Sequence, residues 1–215
     1  MLRLKICVRL YVHLAYPIDR SVYIPPCVHL DMSREGAGVE SQEIETLFRA
    51  LDEELAGREL KKPVRLVVVG GVYMMFFLHN RVSTKDVDVV PLDFPDTMNP
   101  NHETKIFRSA VNAVAKKYHL QRDWMNDVAA AFTPEIKDVL LWREYVNLHI
   151  YVPQAEFILA LKLLAGRTKD ADDITTLCES LAIQTREQAQ ALVDRYADRR
   201  WQQECMLDVT LDALF

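Results

Sequence analysis

Apolar and polar residues alternate almost without error through residues 2–14, LRLKICVRLYVHL, which is the period of a β-strand. The next stretch, YPIDRSVYIPPCVHL, reads as extended, with Pro25 and Pro26 closing off regular pairing. The pattern then changes. Met32 opens a short polar lead, and Ile44, Leu47, Phe48, Leu51 and Leu55 recur at helical spacing. Ser41 reads as the N-cap of this helix. Glu43 and Glu45 put negative charge in its first turn, where the helix dipole favours it. Two readings of residues 1–31 fit the change in pattern: an extension upstream of a native start at Met32, or a hairpin added to a sheet edge.

Past Lys61, Lys62 and Pro63 the period shortens again. VRLVVVGG reads as a buried strand ending at Gly70 and Gly71, VYMMFFLHN as a short apolar helix, and KDVDVVPL as a second strand. In HETKIFRSAVNAVAKKYHL, Ile106, Phe107, Ala110, Val111, Val114 and Ala115 follow the i, i+3, i+4 spacing of a helix. YVNLHIYV alternates as a third strand. After Pro153, QAEFILALKLLAGRTKDADDITTLCESLA reads as one or two helices around Gly166. Thr185 with Gln188 forms a capping-box pattern for a further helix over REQAQALVDRYADRR. This order predicts an α/β (α+β) fold: a small mixed-sheet domain over residues 32–152, followed by a helical region over residues 153–215.

The totals narrow the class. At 215 residues the chain is long enough to bury a sizeable core. A net charge of -5 gives no whole-protein electrostatic argument for nucleic acid. Cys7, Cys27, Cys178 and Cys205 are scattered without a C-x-x-C, as expected of free thiols in a reducing compartment. No apolar run approaches the roughly 18 residues of a membrane span. Arg3, Lys5 and Arg9 interrupt the apolar N-terminus before a signal-peptide core forms. These features together imply a cytoplasmic protein. Trp124, Trp142 and Trp201 are expected in the core or at the domain junction, and His79 and His149 in hydrogen-bonded structural roles.

The chemistry concentrates in residues 67–90, VVVGGVYMMFFLHNRVSTKDVDVV. A strand that ends in two glycines and enters a helix leaves backbone N–H groups open at the helix N-terminus, which suits phosphate. The spacing matches neither the dinucleotide-binding nor the Walker fingerprint. Asp86 and Asp88 are alternate residues of a strand, so both carboxylates project from one face while Val87 and Val89 face the core. Like charges so close repel unless a cation lies between them. A hard divalent cation such as Mg2+, or Mn2+, takes such oxygen ligands and completes its shell with water and phosphate.

Taken together, Gly70-Gly71, the short spacer and Asp86-x-Asp88 resemble the signature of the DNA polymerase beta-like nucleotidyltransferase superfamily. The lead-in Arg81, Ser83, Thr84, Lys85 to Asp88 is similar to a prokaryotic branch that includes the abortive-infection type IV toxin nucleotidyltransferases and related toxin–antitoxin proteins. LALKLLAGRTKDADDI resembles a helical motif of the same branch, and DWMND, residues 123–127, resembles a segment between the two motifs. The resemblance implies a small mixed-sheet nucleotidyltransferase fold. It implies a nucleoside triphosphate seated by Gly70, Gly71, Arg81, Ser83 and Thr84, Mg2+ (or Mn2+) held by Asp86 and Asp88, and a triphosphate contact from Lys162 assisted by Arg167. The implied reaction moves a nucleoside monophosphate to a hydroxyl of RNA, such as a tRNA end, or of a protein, in a toxin–antitoxin or phage-defence setting. Lys162 and Asp173 stand eleven residues apart, so a helix running unbroken through Gly166 would return them to one face.

The chain departs from the family pattern twice. Gly71 stands where many members have serine. Superfamily enzymes also carry a third carboxylate on a later strand, and YVNLHIYV offers only Asn147 and His149. Asp127 and Asp170 are the substitutes within reach in sequence. The departure keeps open an alternative, a nucleotidyltransferase-fold protein impaired in catalysis that serves as an antitoxin-like or regulatory binding module for a co-encoded protein.

Overall fold

A computed structural model describes residues 39–58, 60–94 and 100–215. The alternating stretch of residues 2–14 and the question of a start at Met32 lie outside the described residues. The described chain is a mixed α/β protein. Its centre is a five-stranded sheet of β2 (Val64–Val68), β4 (Val87–Pro91), β5 (Met125–Asn126), β6 (Val139–Glu144) and β7 (Leu148–Pro153), in the order β5-β4-β2-β7-β6. β2 runs antiparallel to β4 and parallel to β7. β5 is parallel to β4, and β6 antiparallel to β7. A separate short ladder joins β1 (Val39–Glu40) to β3 (Ser83–Thr84).

The period-two alternation of the strands decides which layer each helix joins. Val64, Leu66 and Val68 of β2, with Val87 and Val89 of β4, face α1 (Ser41–Ala56) and α3 (His102–Lys117). Val67 and Val69, with Val90 and Val152, face α4 (Ala155–Ala165), α5 (Ala171–Ser180), α6 (Arg186–Val193) and α8 (Leu207–Leu214). The C-terminal helices therefore cover the second face of the sheet. Val67, fully buried, belongs to their core. Two buried faces explain why VRLVVVGG reads as a continuous apolar run rather than an alternating one.

Local sequence signals hold with corrections. Helix α1 starts one residue earlier than Ser41 suggests: Glu40 is its N-cap, and the Glu43 carboxylate accepts the Glu40 N–H at 2.9 Å. The spacer after the glycines is not one regular helix. α2 (Gly70–Tyr73) gives way to a π-helical turn over Met74–Leu78, and His79 leaves it in a left-handed conformation. His79 is exposed and not a structural core histidine, because that left-handed exit turns it out of the layer. α4 stops at Ala165, where Gly166 adopts φ +57° and its N–H returns to the Lys162 carbonyl. The chain resumes through a 3-10 turn, Thr168–Asp170, into α5. REQAQALVDRYADRR is two elements, α6 and α7 (Arg199–Glu204), because Asp198 accepts the Trp201 N–H at 2.8 Å and caps a new helix.

Strands β5 and β6 have no counterpart in the hydrophobic pattern; β5 is two residues long and β6 lies on the sheet edge. Trp124 is buried as expected, its indole donating to the Val111 carbonyl at 3.1 Å. Trp142 packs edge-on against Phe48, Phe76 and Phe77, and Trp201 is half-buried among the C-terminal helices. Cys178 and Cys205 are buried. No helix among the described residues is long and apolar enough to cross a membrane.

Candidate functional site

The glycine turn and the carboxylate pair share one surface. Val69 N–H donates to the Asp88 carbonyl at 3.0 Å, so the end of β2 is tied to the start of β4. Gly70 sits at φ +65°, and a Cβ there would lie 2.5 Å from Asp88 Oδ2. At Gly71 a Cβ would lie 2.3 Å from Thr84 Oγ1. Only glycine allows both approaches. The Thr84 side chain occupies the space that a serine at position 71 would need. Thr84 is itself buried, and its hydroxyl donates to the Asp86 carbonyl at 3.0 Å, shaping the turn into β4.

Asp86 and Asp88 project on the side of the sheet that the C-terminal helices cover, while Val87 and Val89 are fully buried on the other side. Burial pushes the Asp86 carboxyl up to about 6, and the Asp88 charge adds to the effect. Burial also raises Asp88. Lys169 and Arg167 oppose both shifts without cancelling them. The pair is thus a desolvated carboxylate site with a deficit of positive charge.

The strand neighbour of the carboxylate pair is an amide. β5 lies beside β4, with Asn126 directly opposite Asp88. The Asn126 amide donates to Asp86 Oδ2 across a long 3.5 Å and also favours the charged form of Asp88. Asp127 does not join them. It is buried against Arg108 of α3, with bonds of 2.9–3.1 Å to Nη2 and Nε, toward the opposite layer. Asn147 and His149 are not in the site either. His149 pairs in register with Arg65, and Asn147 bonds Asp52 of α1, both at the far end of β2 and β7. Among the described residues no three His, Cys, Asp or Glu side chains converge as a metal-binding group.

The helical motif forms a buried ionic cluster. Lys162 is 4% exposed, with Nζ 2.8 Å from Asp170 Oδ1 and 2.6 Å from Asp173 Oδ2. Arg81 forks onto Asp173, and Arg167 reaches Asp170 Oδ2 at 2.5 Å. Lys162 and Asp173 therefore meet, though not along one helix; the 3-10 turn after Gly166 folds α5 back onto α4. Burial alone would raise Asp170, but Lys162 and Arg167 outweigh it and hold the carboxyl below its ordinary range. Asp173 is held down in the same way, by Lys162, Arg81 and Asn80 against burial. A carboxylate so stabilised is a poor proton acceptor, which removes the main reason to use Asp170 as a base. Neither Lys162 nor Arg81 presents an unpaired charge.

Two residues the motif comparison did not single out complete the picture: Asn126, and Lys169, which is exposed beside the carboxylates. Asn126 stands within DWMND, but only strand pairing reveals its role. Asp86 and Asp88 offer carboxylate oxygens, and such ligands suit a hard divalent cation that brings its own water and phosphate ligands. No family model, curated protein or solved structure matches this chain.

Proposed function

We propose that this protein is a nucleotidyltransferase. It takes a nucleoside triphosphate with Mg2+ (or Mn2+) and moves the nucleoside monophosphate to a hydroxyl acceptor: the acceptor oxygen bonds to the α-phosphorus, the α–β phosphoanhydride bond breaks, and pyrophosphate and the hydroxyl proton are released. The observation that carries the reading is the contact of Gly70 with Asp88: the turn suited to phosphate and the pair suited to a cation lie within one side chain of each other. The upward shift of both carboxyls supports it, since a bound divalent cation would relieve that electrostatic cost. Asp86 and Asp88 would hold the cation, which would supply charge neutralisation at the transferring phosphate. Gly70 and Gly71 would seat phosphate oxygens close to the backbone. The acceptor class, RNA such as a tRNA end or a protein, and a toxin–antitoxin or phage-defence setting, rest on the resemblance of the two motifs.

A second reading is favoured by one observation. Asn126, the β5 neighbour of Asp88, is an amide, which can neither take a proton from a hydroxyl nor bring negative charge to a cation as a carboxylate would. On that reading the chain binds nucleotide or a co-encoded partner without turning over. Incubation of purified protein with labelled nucleoside triphosphates, Mg2+ and cell extract separates the two. Transfer that disappears in the Asp86→Ala/Asp88→Ala double variant upholds the enzyme. Metal-dependent nucleotide binding without transfer upholds the binding module, and absence of both overturns the nucleotide reading.

A further inference from the structure

Cations near the carboxylate pair differ in what they are free to do. Lys162 is enclosed by two aspartates, and Arg81 and Arg167 each hold one of the same aspartates. Lys169 is different. It stands in the 3-10 turn before α5, is exposed, and has no carboxylate partner among the described residues. Its ammonium acts on both Asp86 and Asp88, so it lies on their side of the sheet.

Lys169 also lines a groove of about 500 Å3 together with Asn80, Arg81, Ser83 and Asp172. That volume is in the range of small-molecule sites. The chain leads from the groove to the carboxylates: Ser83 on its lining precedes Thr84, whose hydroxyl donates to the Asp86 carbonyl. Asn80 on the same lining is held by its Nδ2, which donates to Asp173 at 3.0 Å. The groove thus presents one cation without a carboxylate partner among the described residues, Lys169, which suits a molecule carrying negative charge.

We infer that Lys169, and not Lys162, is the residue that holds the polyphosphate of a nucleotide, in the groove between residues 80–83 and the start of α5. The inference rests on the nucleotide reading above and gives a role to Lys169, which stands in the quoted helical motif without one. Lys162 instead holds α4 and α5 together, and through Asp173 and Arg81 it fixes the segment that leads into Asp86. Asp172 borders the same groove and opposes a phosphate there, so its neutralisation should tighten binding.

Titration calorimetry at fixed Mg2+ with ATP, GTP, CTP and UTP, and with the four monophosphates, tests the assignment. For the triphosphate that the wild type binds, Lys169→Ala should weaken binding at least tenfold and Lys169→Arg should largely retain it. Binding of the matching monophosphate should change less than twofold. Lys116→Ala, the same charge change on α3 across the sheet, should alter neither. Circular dichroism melting should be unchanged in Lys169→Ala, since the side chain is exposed. Equal triphosphate affinity in Lys169→Ala and wild type overturns the Lys169 assignment while leaving the nucleotide reading in place. A wild type that binds none of the four triphosphates overturns the nucleotide reading, and the assignment with it.

Discussion

Asn126 stands directly opposite Asp88 in the parallel pair of β5 and β4, with its amide turned to the Asp86 carboxylate. The substitution Asn126→Asp would put a third carboxylate on a surface where Asp86 already titrates near 6. Without divalent cation the variant should lose about 1–2 kcal/mol of stability from added like-charge repulsion. With Mn2+ or Mg2+ it should recover, and bind the cation about tenfold more tightly than wild type, because a further oxygen ligand joins the shell. Melting curves with and without metal, and Mn2+ titration, measure both effects. Unchanged Mn2+ affinity would mean that Asn126 does not face the cation position.

The Asp86 carboxyl gives a pH signature with a definite sign. Its folded value, about 6, lies above the ordinary 3.8, so the folded state binds more protons than the unfolded state between them. In cation-free protein, this group's contribution to stability therefore falls as pH rises from about 4 to about 6. Asp86 is partly solvated, so the loss should be about 1–2 kcal/mol after allowance for screening. Asp86→Asn should accordingly be more stable than wild type at pH 8 without metal, by a similar amount, and should lose the stabilisation that Mg2+ confers on wild type. Urea denaturation at pH 4.5 and pH 8, with and without Mg2+, checks both signs.

Gly71 tests the packing account of the turn. Gly71→Ser should destabilise by about 1–3 kcal/mol, because the new Cβ meets Thr84 Oγ1. Thr84→Ala combined with Gly71→Ser should recover part of this loss, since it removes the nearest atom. The recovery should be only partial, because Thr84 Cβ would still lie 3.0 Å from the added Cβ. A thermodynamic cycle over the four proteins reports the coupling. Additive effects would show that the two side chains do not compete for the same space.

Lys162→Met should cost about 3–5 kcal/mol, measured by urea denaturation, because it leaves Asp170 and Asp173 buried without their shared partner. The same cluster gives the opposite pH dependence to Asp86. Asp170 and Asp173 are held below their ordinary range, so their contribution is present above about pH 4 and is lost as pH falls further. In Lys162→Met that acid-side loss should be smaller or reversed. A Lys162→Met protein as stable as wild type would argue that the buried cluster does not hold α4 to α5.

Much of the site was legible in short-range pattern. A period of two places Asp86 and Asp88 on one side and Val87 and Val89 on the other. Two glycines after an apolar run mark a turn with close backbone approach. These inferences need only neighbours within a few residues, where backbone geometry leaves few choices. The Thr185–Gln188 capping box and the helices over residues 41–56 and 102–117 were legible for the same reason.

What lay beyond that range was decided by tertiary structure. Nothing in MN marks a two-residue strand; β5 exists because Trp124 is anchored in the core and its carbonyl accepts the Val87 N–H at 2.7 Å. That pairing, not the alternating strand YVNLHIYV, selects Asn126 as the neighbour of Asp88. The same holds for Lys162. Its motif points to a phosphate contact, yet the reversal after Gly166 closes Asp170 and Asp173 around it and leaves Lys169 exposed. The sequence by itself determined which residues share a turn or a strand face, because covalent geometry carries that information over a few residues. The sheet order and the helix reversal decided which charges meet, because a carboxylate takes the partner that lies nearest in space when water is excluded.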